Sequence, residues 1–202
     1  MMEIKIMTRK MLPMTMATLC ALTIMSISSS AFALDGYADR RGLFSGIGIG
    51  GGVGLVESEN GSTGIDQGRK LGMHMSAIVG GGASEHIVVG GEANWWARTA
   101  QIGTRNLSHH HLSFNAIADV FILDGFYLEG GGGLAYTIFD AERSGQQIIR
   151  YQELGLAVKG GAGFEFFVNS QVAIGMKMGY TRHFYSNTDF DTVAGGITLR
   201  WY

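Results

Sequence analysis

The feature of this sequence that most restricts its fold is a strict alternation between two kinds of side chain. Between Arg150 and Phe167, one alternate set carries Glu153, Lys159 and Glu165 among glycines and alanines, and the other set is mainly aliphatic and aromatic. Successive side chains of a β-strand point to opposite faces. The segment therefore predicts a strand with one apolar and one polar face.

The same period of two recurs along the chain, and stretches rich in Gly, Asn, Asp and Ser separate its occurrences. Most segments reach the roughly 9–11 residues with which a tilted strand crosses a membrane, and none has the roughly 20 apolar residues of a spanning helix. The prediction is an all-β, eight-stranded antiparallel up-and-down transmembrane β-barrel. Its strands are expected at Leu43–Glu57, Lys70–Gly82, Ile87–Thr99, His109–Leu123, Phe126–Asp140, Arg150–Phe167, Gln171–Tyr185 and Thr192–Tyr202.

The predicted connections alternate between short and long. Short turns at one end and longer polar loops at the other are typical of outer-membrane barrels, whose turns lie on the periplasmic side. The short connections are Ala83–His86, Asp124-Gly125 and Val168–Ser170, and the long ones are Ser58–Arg69, Ala100–Ser108, Ala141–Ile149 and Ser186–Asp191.

The first 33 residues have the three parts of a secretory leader. A basic start is followed by an apolar run and by a pair of small residues that matches a cleavage site. The prediction is a cleaved signal peptide over residues 1–33 and an outer-membrane barrel domain over 34–202. The parts are Lys5, Arg9 and Lys10, then Met11 to Met25, then Ala31-Phe32-Ala33.

The composition of the predicted barrel domain excludes several classes of function. The one cysteine, Cys20, leaves with the leader, so neither a disulfide framework nor a thiol nucleophile is available. Removing the leader's three basic residues and Glu3 leaves 12 basic and 16 acidic residues without a basic cluster. Nucleic acid is therefore not expected as a partner, and no cofactor is predicted.

The polar face of the strands is made mostly of very small residues. In the first predicted strand it consists of Gly46, Gly48, Gly50, Gly52 and Gly54. A solvent-facing surface would hold more Lys, Glu and Thr, whereas the crowded interior of a narrow eight-stranded barrel leaves room for little else than small residues. We therefore place the polar face in the lumen and the apolar face against lipid.

The charged residues assigned to the lumen nearly balance. Buried charges persist only when they are paired, because an unpaired one costs several kcal/mol. The sequence thus predicts a plugged, salt-bridged lumen rather than an open pore. The acidic members are Glu92, Asp119, Glu129, Glu153 and Glu165, and the basic members are Lys70, Arg98, Lys159, Lys177 and Arg200, with His74, His109, His111, Asn115, Gln171 and His183 between them.

The opposite face is apolar along its centre and aromatic towards its ends. Aromatic girdles of this kind mark the two interfaces of a membrane. The central residues include Ile47, Ile49, Met75, Leu112, Phe114, Met176 and Leu199; the aromatic ones are Phe126, Phe166 and Trp201 at the predicted periplasmic rim and Trp95, Tyr136, Tyr180 and Phe184 at the outer rim.

The last predicted strand carries the most specific signal. Val193, Ile197, Leu199 and Trp201 lie on alternate positions, and Tyr202 adds one further aromatic residue. In this pattern and in its strand number the chain resembles the OmpA/OmpX-like group of small outer-membrane β-barrels. The resemblance implies that this strand is read by the barrel-assembly machinery, with periplasmic chaperones as further partners during biogenesis. It also implies a monomer surrounded by outer-membrane lipid and lipopolysaccharide, with a non-enzymatic envelope or surface-interaction role.

A run of three histidines is a candidate for metal chemistry. His109 and His111 share the predicted lumen face, and two imidazoles could hold a metal ion if a third ligand came from a neighbouring strand. The sequence names no such ligand, so no metal site is predicted.

The segment His183-Phe184-Tyr185-Ser186-Asn187 is similar to the His-x-Ser-Asn stretch of the outer-membrane lipid A deacylases, in which a histidine activates a serine. Two residues separate His183 from Ser186, which places them on opposite faces of a regular strand. A deacylase-like enzyme is therefore kept as an alternative, together with a narrow channel for ions or small solutes.

Overall fold

The computed structural model describes residues 39–58, 69–102, 105–143, 146–186 and 188–202. The predicted leader, the first residues of the predicted barrel domain and most of the predicted loop Ser58–Arg69 lie outside these ranges. Within them there is no helix of the length and hydrophobicity that membrane crossing requires.

The described residues form eight β-strands that close into one barrel. Each strand pairs with its neighbours in the chain, all pairs are antiparallel, and β1 pairs with β8 to close the sheet. The predicted eight-stranded up-and-down barrel is confirmed. The strands are β1 (Gly42–Ser58), β2 (Arg69–Gly82), β3 (Ile87–Ile102), β4 (Arg105–Phe121), β5 (Phe126–Arg143), β6 (Gln146–Phe167), β7 (Val172–Phe184) and β8 (Thr188–Trp201).

The register of the strands sets the tilt of the barrel. A path across paired residues starts at Ile47 on β1, passes once around the barrel and returns to β1 at Glu57, ten residues further along. With a rise of about 3.3 Å per residue and strands about 4.8 Å apart, this stagger tilts the strands by about 40°. Each residue then adds about 2.5 Å of height.

The alternation of side chains divides the barrel into a lumen face and an outer face. Outward residues are exposed and apolar, for example Leu71 at 75% and Met176 at 66%, whereas the lumen residue Glu92 is 3% exposed. Leu112 and Leu199 share their alternate positions with the exposed Phe114 and Ile197 and so lie on the outer face as predicted. Because the apolar face of the strands points outward, closure of the barrel places the charged side chains inside.

Glycine is required where the lumen is most crowded. A Cβ atom on Gly133 would lie 1.9 Å from the carbonyl oxygen of Phe114 on the next strand, and one on Gly163 would lie 2.3 Å from the Tyr127 ring. Several outward glycines face open space instead, such as Gly130. The glycines of the polar face therefore follow from the narrowness of the barrel.

The two ends of the barrel differ. At one end, four-residue turns join the strands at 83–86, 122–125 and 168–171, close to the predicted positions. At the other end the strands continue through most of two predicted loops, Ala100–Ser108 and Ala141–Ile149, because β3 pairs with β4 as far as Ile102↔Arg105 and β5 with β6 as far as Arg143↔Gln146. The loop prediction was wrong there because it rested on polarity. Above a membrane both faces of a ribbon meet water, so a polar sequence can still form a ladder.

Four strands extend beyond their neighbours at this outer end. The pairing of β2 with β3 stops at Met73↔Ala97, and the pairing of β6 with β7 stops at Leu156↔Phe184. The outer parts of β3, β4, β5 and β6 therefore form a four-stranded extension of the sheet. Within the described ranges, its two edges have no paired strand beyond Ala97 on β3 and Leu156 on β6.

Candidate functional site

The middle of the lumen holds a closed group of two carboxylates and two ammonium groups. We call Glu92, Glu129, Lys159 and Lys177 the central ion cluster; they come from β3, β5, β6 and β7. Lys159 Nζ and Lys177 Nζ each lie 2.7 Å from a carboxylate oxygen of Glu129, and both also contact Glu92. No side chain of the four is more than 10% exposed. Each charge therefore has two opposite neighbours, which offsets the cost of removing it from water.

The register makes room for these long side chains. Glu129 is paired with Gly161, Lys159 with Gly131, and Lys177 with Gly163. A glycine opposite a charged residue leaves space for its side chain to cross the lumen. In addition, Asn94 Nδ2 donates a hydrogen bond to Glu92 at 3.2 Å.

A second group fills the end of the lumen near the tight turns. We call Arg40, Asp119, Glu165, Arg200 and Tyr202 the periplasmic cluster, after the orientation predicted from the short turns. Arg200 Nη2 lies 2.7 Å from Asp119 Oδ2, and Arg200 Nη1 lies 3.3 Å from Glu165. Glu165 also binds Arg40 Nε at 2.8 Å and accepts a hydrogen bond from the Tyr202 hydroxyl at 2.9 Å. Two carboxylates and two guanidinium groups again balance.

Aromatic rings pack around the periplasmic cluster. The Arg40 guanidinium lies 4.0 Å from the Phe121 ring centre, and that of Arg200 lies 4.7 Å from the Tyr127 ring centre. Phe44, Val88, Phe121 and Tyr127 form the buried apolar core of this end. The cations are thus held by ring faces as well as by carboxylates.

A third layer closes the lumen nearer the outer end. We call Trp96, His111, His183 and Phe190 the outer aromatic layer. The His111 and Phe190 rings stack with centres 3.6 Å apart, and the Trp96 and Phe190 ring centres are 5.4 Å apart. Trp96 Nε1 donates to the carbonyl oxygen of Gly52 at 3.2 Å. Trp96 and Phe190 are each 2% exposed, so the layer is densely packed.

Seven of the ten charged residues predicted for the lumen lie in the two ion clusters, and three lie near the outer end. Lys70 and Arg98 face the lumen on β2 and β3, and Arg98 is paired with His109 on β4. Glu153 accepts hydrogen bonds from the Tyr151 hydroxyl and from the backbone N–H of Ser186, the latter at 2.6 Å. Glu153 therefore belongs to the outer rim rather than to a lumen ion pair.

Sequence reasoning missed several lumen residues, and four of them illustrate three different reasons. Trp96 shares its alternate position with Glu92, so the signal for an inward indole was present. Phe190 was assigned to a loop because polar residues surround it, but β8 begins at Thr188. Arg40 precedes the first strand and Tyr202 follows the last one, where the alternation gives no information. Tyr202 was assigned only to the assembly signal, and its ring packs inside the barrel against Phe44, with ring centres 5.5 Å apart.

The other members of the predicted assembly signal lie on the outer face. Val193 and Ile197 are 44% and 61% exposed, and Leu199 and Trp201 share their alternate positions. The predicted aromatic girdles are also outward. Trp95, Leu112 and Tyr136 form one row of paired residues towards the outer end.

Among the described residues, the histidine motifs contact neither a metal-ligand set nor a serine. The rings of His109 and His111 meet edge to face with centres 5.8 Å apart, and within the described ranges no three His, Cys, Asp or Glu residues are arranged to hold a metal ion. His183 Nδ1 lies 3.0 Å from the carbonyl oxygen of Phe190. Ser186 is exposed, and no hydrogen bond among the described residues joins it to His183. The described hydrogen bonds therefore do not pair His183 with Ser186.

Comparisons with known proteins agree with this architecture. The family model described as the outer membrane protein β-barrel domain matches residues 17–201. The structure of Ail, the attachment invasion locus protein of Yersinia pestis, is similar with a TM-score of 0.59 at 16% identity, covering 78% of this chain and 98% of that one. A structure of Ail with the heparin analogue sucrose octasulfate gives a TM-score of 0.60 at 16% identity, with 79% and 99% covered. The structure of Neisserial surface protein A gives a TM-score of 0.52 at 12% identity, covering 80% of this chain and 99% of that one. No curated protein sequence matches the chain.

Proposed function

The chain belongs to the outer membrane protein β-barrel family and is integral to the bacterial outer membrane, and from this premise we propose that it is a closed, non-enzymatic anchor. In this proposal the barrel holds the four-stranded extension of its sheet above the membrane, where it contacts partners at the cell surface. The observation that carries the proposal is that β6 runs to Gln146 although its pairing with β7 ends at Leu156.

The filling of the lumen supports the closed state. Three successive layers cross it: the periplasmic cluster, the central ion cluster and the outer aromatic layer. Each layer contains side chains that are almost fully buried, including Asp119 at 0%, Glu92 at 3% and Trp96 at 2% exposure. A solute would have to break paired charges and separate stacked rings, so a steady channel is not favoured.

The height and edges of the extension support a surface role. From Leu156 to Gln146, β6 rises about 25 Å at the tilt given above. Of its described outward side chains there, Arg150 and Gln152 are polar, whereas Leu154 and Leu156 are apolar and exposed. Arg150 Nε lies 3.6 Å from Asp140 on β5. An edge strand presents unpaired N–H and C=O groups, which an extended segment of another protein can bind by adding a strand. The similar barrel Ail, whose structure has been determined with a heparin analogue, supports contact with surface molecules in barrels of this architecture.

Two measurements test the proposal separately. In planar bilayers the native protein is expected to show no steady conductance, and each of Arg40→Ala, Lys177→Ala and Trp96→Ala alone is expected to stay closed because two layers remain. The triple variant is expected to conduct. Steady conductance of the native protein would exclude a closed anchor.

The surface role is tested by shortening the extension. Residues 141–149 are replaced by Asn-Gly, a sequence that closes a two-residue hairpin between Asp140 and Arg150. Bacteria that display this variant are expected to adhere to host cell monolayers several-fold less than bacteria with the native protein, while the barrel still shifts in gel mobility on heating. The matched control is Arg150→Gln, which keeps the length of the extension. Equal adhesion of all three would contradict a role for the extension. To test the deacylase alternative, Ser186→Ala is expected to leave the acyl count of lipid A unchanged.

A further inference from the structure

Three histidines meet in and next to the outer aromatic layer. The His111 ring lies between the other two, with its centre 5.8 Å from that of His109 and 5.9 Å from that of His183. His111 and His183 are only 5% and 4% exposed. A closed anchor needs packed rings at this level, but it does not need rings that can take up a proton.

The contacts of the two buried histidines fit neutral rings. His111 Nδ1 lies 3.4 Å from the Tyr185 hydroxyl, and His111 Nε2 is buried without a hydrogen-bond partner among the described residues. The His111 ring stacks on Phe190 with ring centres 3.6 Å apart, and the residue paired with His111 on β5 is the uncharged Thr137. His183 Nδ1 donates to the carbonyl oxygen of Phe190 at 3.0 Å. Phe190 therefore holds both histidines in the same layer.

The neighbouring groups on β2, β3 and β4 are basic. Arg98 on β3 is paired with His109, Lys70 on β2 faces the lumen at the same end, and His110 follows His109 along β4. His109 belongs to the four-stranded extension of the sheet, outside the membrane-spanning part of β4. Burial, followed by the charges of these three neighbours, lowers the pKa of His109 to about 4 from its ordinary value of 6.5.

Two acidic residues lie beside the histidines on paired strands, and both have other partners. On β6, Glu153 accepts hydrogen bonds from the Tyr151 hydroxyl and the Ser186 backbone N–H. On β8, Asp191 lies on the outer face, 3.8 Å from Arg182. The residues described on β1 and β5 carry no lumen-facing charge at this level. Within the described ranges, no ion pair joins a carboxylate to one of the three histidines.

Protonation of the three rings therefore opposes their packing. The cost of an unpaired buried charge exceeds what a cation gains over an aromatic ring, so the stacking of His111 on Phe190 does not offset it. Each further proton adds repulsion between rings whose centres are less than 6 Å apart. For His109, whose pKa in the folded protein lies below its ordinary value, the packed state is fully favoured above about pH 6.5 and loses stability as the pH falls towards about 4.

We propose that the outer aromatic layer is an acid-sensitive closure of the outer mouth: protonation of His109, His111 and His183 separates the stacked rings and releases the outer ends of β7 and β8 from the base of the four-stranded extension. The layer joins these parts, because Phe190 lies on β8 and His183 on β7, whereas His111 lies on β4 and Trp96 on β3. The two ion clusters below contain none of these histidines, so the lumen stays obstructed while the outer mouth opens.

The test follows the exposure of Trp96 in the full barrel folded in lipid vesicles. The chain has three tryptophans, so Trp95→Phe with Trp201→Phe leaves Trp96 as the single fluorophore. Quenching of Trp96 by acrylamide is expected to rise about threefold between about pH 7.5 and about pH 4, and to return on neutralisation, because neutral rings pack again. Unchanged quenching down to about pH 4 would overturn the proposal. Loss of the β-sheet circular dichroism over the same pH range would also overturn it, because the whole barrel would then unfold.

Two variants in this background assign the response to the histidines. His111→Phe keeps an aromatic ring on Phe190 without a titratable group, and its quenching is expected to stay low at about pH 4. His183→Asn keeps an N–H donor for the Phe190 carbonyl and is expected to move the rise to a lower pH, so it tests the proposal even where His111→Phe fails to assemble. The matched control is His86→Phe in an exposed turn at the other end, which should keep the full response. An equal rise in His111→Phe and His183→Asn would assign the acid response to other groups and overturn the proposal.

Discussion

The two ion clusters of the lumen balance the same number of charges in different ways. In the central ion cluster each charged group relies on the two opposite charges next to it and, in the case of Glu92, on Asn94. In the periplasmic cluster, Glu165 has three partners, Arg40, Arg200 and Tyr202, and ring faces hold both guanidinium groups. Glu165 therefore has partners in reserve, whereas Glu129 in the central ion cluster has only Lys159 and Lys177 among the described side chains.

This difference indicates how each layer of the lumen tolerates change. A buried ion pair contributes little compared with well-packed apolar residues, but removal of one partner leaves an uncompensated charge. In the central ion cluster, Glu129 then keeps one lysine, and Glu92 keeps one lysine and Asn94. In the periplasmic cluster, Glu165 still has two partners when any one of its three is removed. Single substitutions in the two clusters should consequently lower the free energy of unfolding by clearly different amounts.

The largest effect is expected for Lys159→Met. The variant keeps most of the side-chain volume but leaves Glu92 and Glu129 to share the single ammonium group of Lys177. The expected loss is about 3–5 kcal/mol of unfolding free energy, the cost of breaking a buried pair. Urea unfolding in lipid vesicles, followed by tryptophan fluorescence, measures it.

The control for this substitution is Arg150→Met. Arg150 lies on the extension, its side chain is 55% exposed, and its distance to Asp140 is 3.6 Å. An exposed pair of this kind contributes less than about 1 kcal/mol. If Lys159→Met cost no more than the control, the central ion cluster would not be the dry, closely paired group described above.

A smaller effect is expected for Arg40→Met in the periplasmic cluster. Glu165 keeps Arg200 and Tyr202, so the loss is limited to one charged hydrogen bond and the contacts of Arg40 with the Phe121 and Phe167 rings. We expect a cost of about 1–2 kcal/mol in the same unfolding experiment. A cost as large as that of Lys159→Met would mean that the reserve partners do not compensate.

The sequence predicted the faces of the strands correctly because a period of two needs no knowledge of neighbouring strands. It could not predict which charges meet. Lys159 and Glu92 lie on β6 and β3, and their contact depends on the stagger of ten residues per circuit, which no single strand encodes. Arg40 and Tyr202 lie beyond the ends of the alternating pattern, so the pattern could not predict that they close the periplasmic end. The layers of the lumen thus depend on the strand register, whereas the balance of its charges depends on composition alone.

A still smaller effect is expected for Tyr202→Phe. The substitution removes the hydroxyl that donates to Glu165 at 2.9 Å and keeps the ring that packs against Phe44. Glu165 retains both guanidinium partners, so the expected loss of unfolding free energy is about 1 kcal/mol. Because the terminal aromatic ring is unchanged, the amount of assembled barrel in the outer membrane should match that of the native protein. A fall in assembly without a change in unfolding free energy would assign the hydroxyl to biogenesis instead.

The smallest net effect is expected when both partners of one central pair are replaced, as in Glu129→Leu with Lys159→Met. Glu92 and Lys177 then remain as one neutral pair in contact. Apolar replacement of a whole buried pair is often neutral, so the double variant should unfold within about 1 kcal/mol of the native protein although Lys159→Met alone is strongly destabilised. Recovery of this size would show that the central ion cluster costs stability only when it is unbalanced. A double variant as unstable as the single one would instead show that Glu129 and Lys159 hold the strands together through contacts that apolar side chains cannot replace.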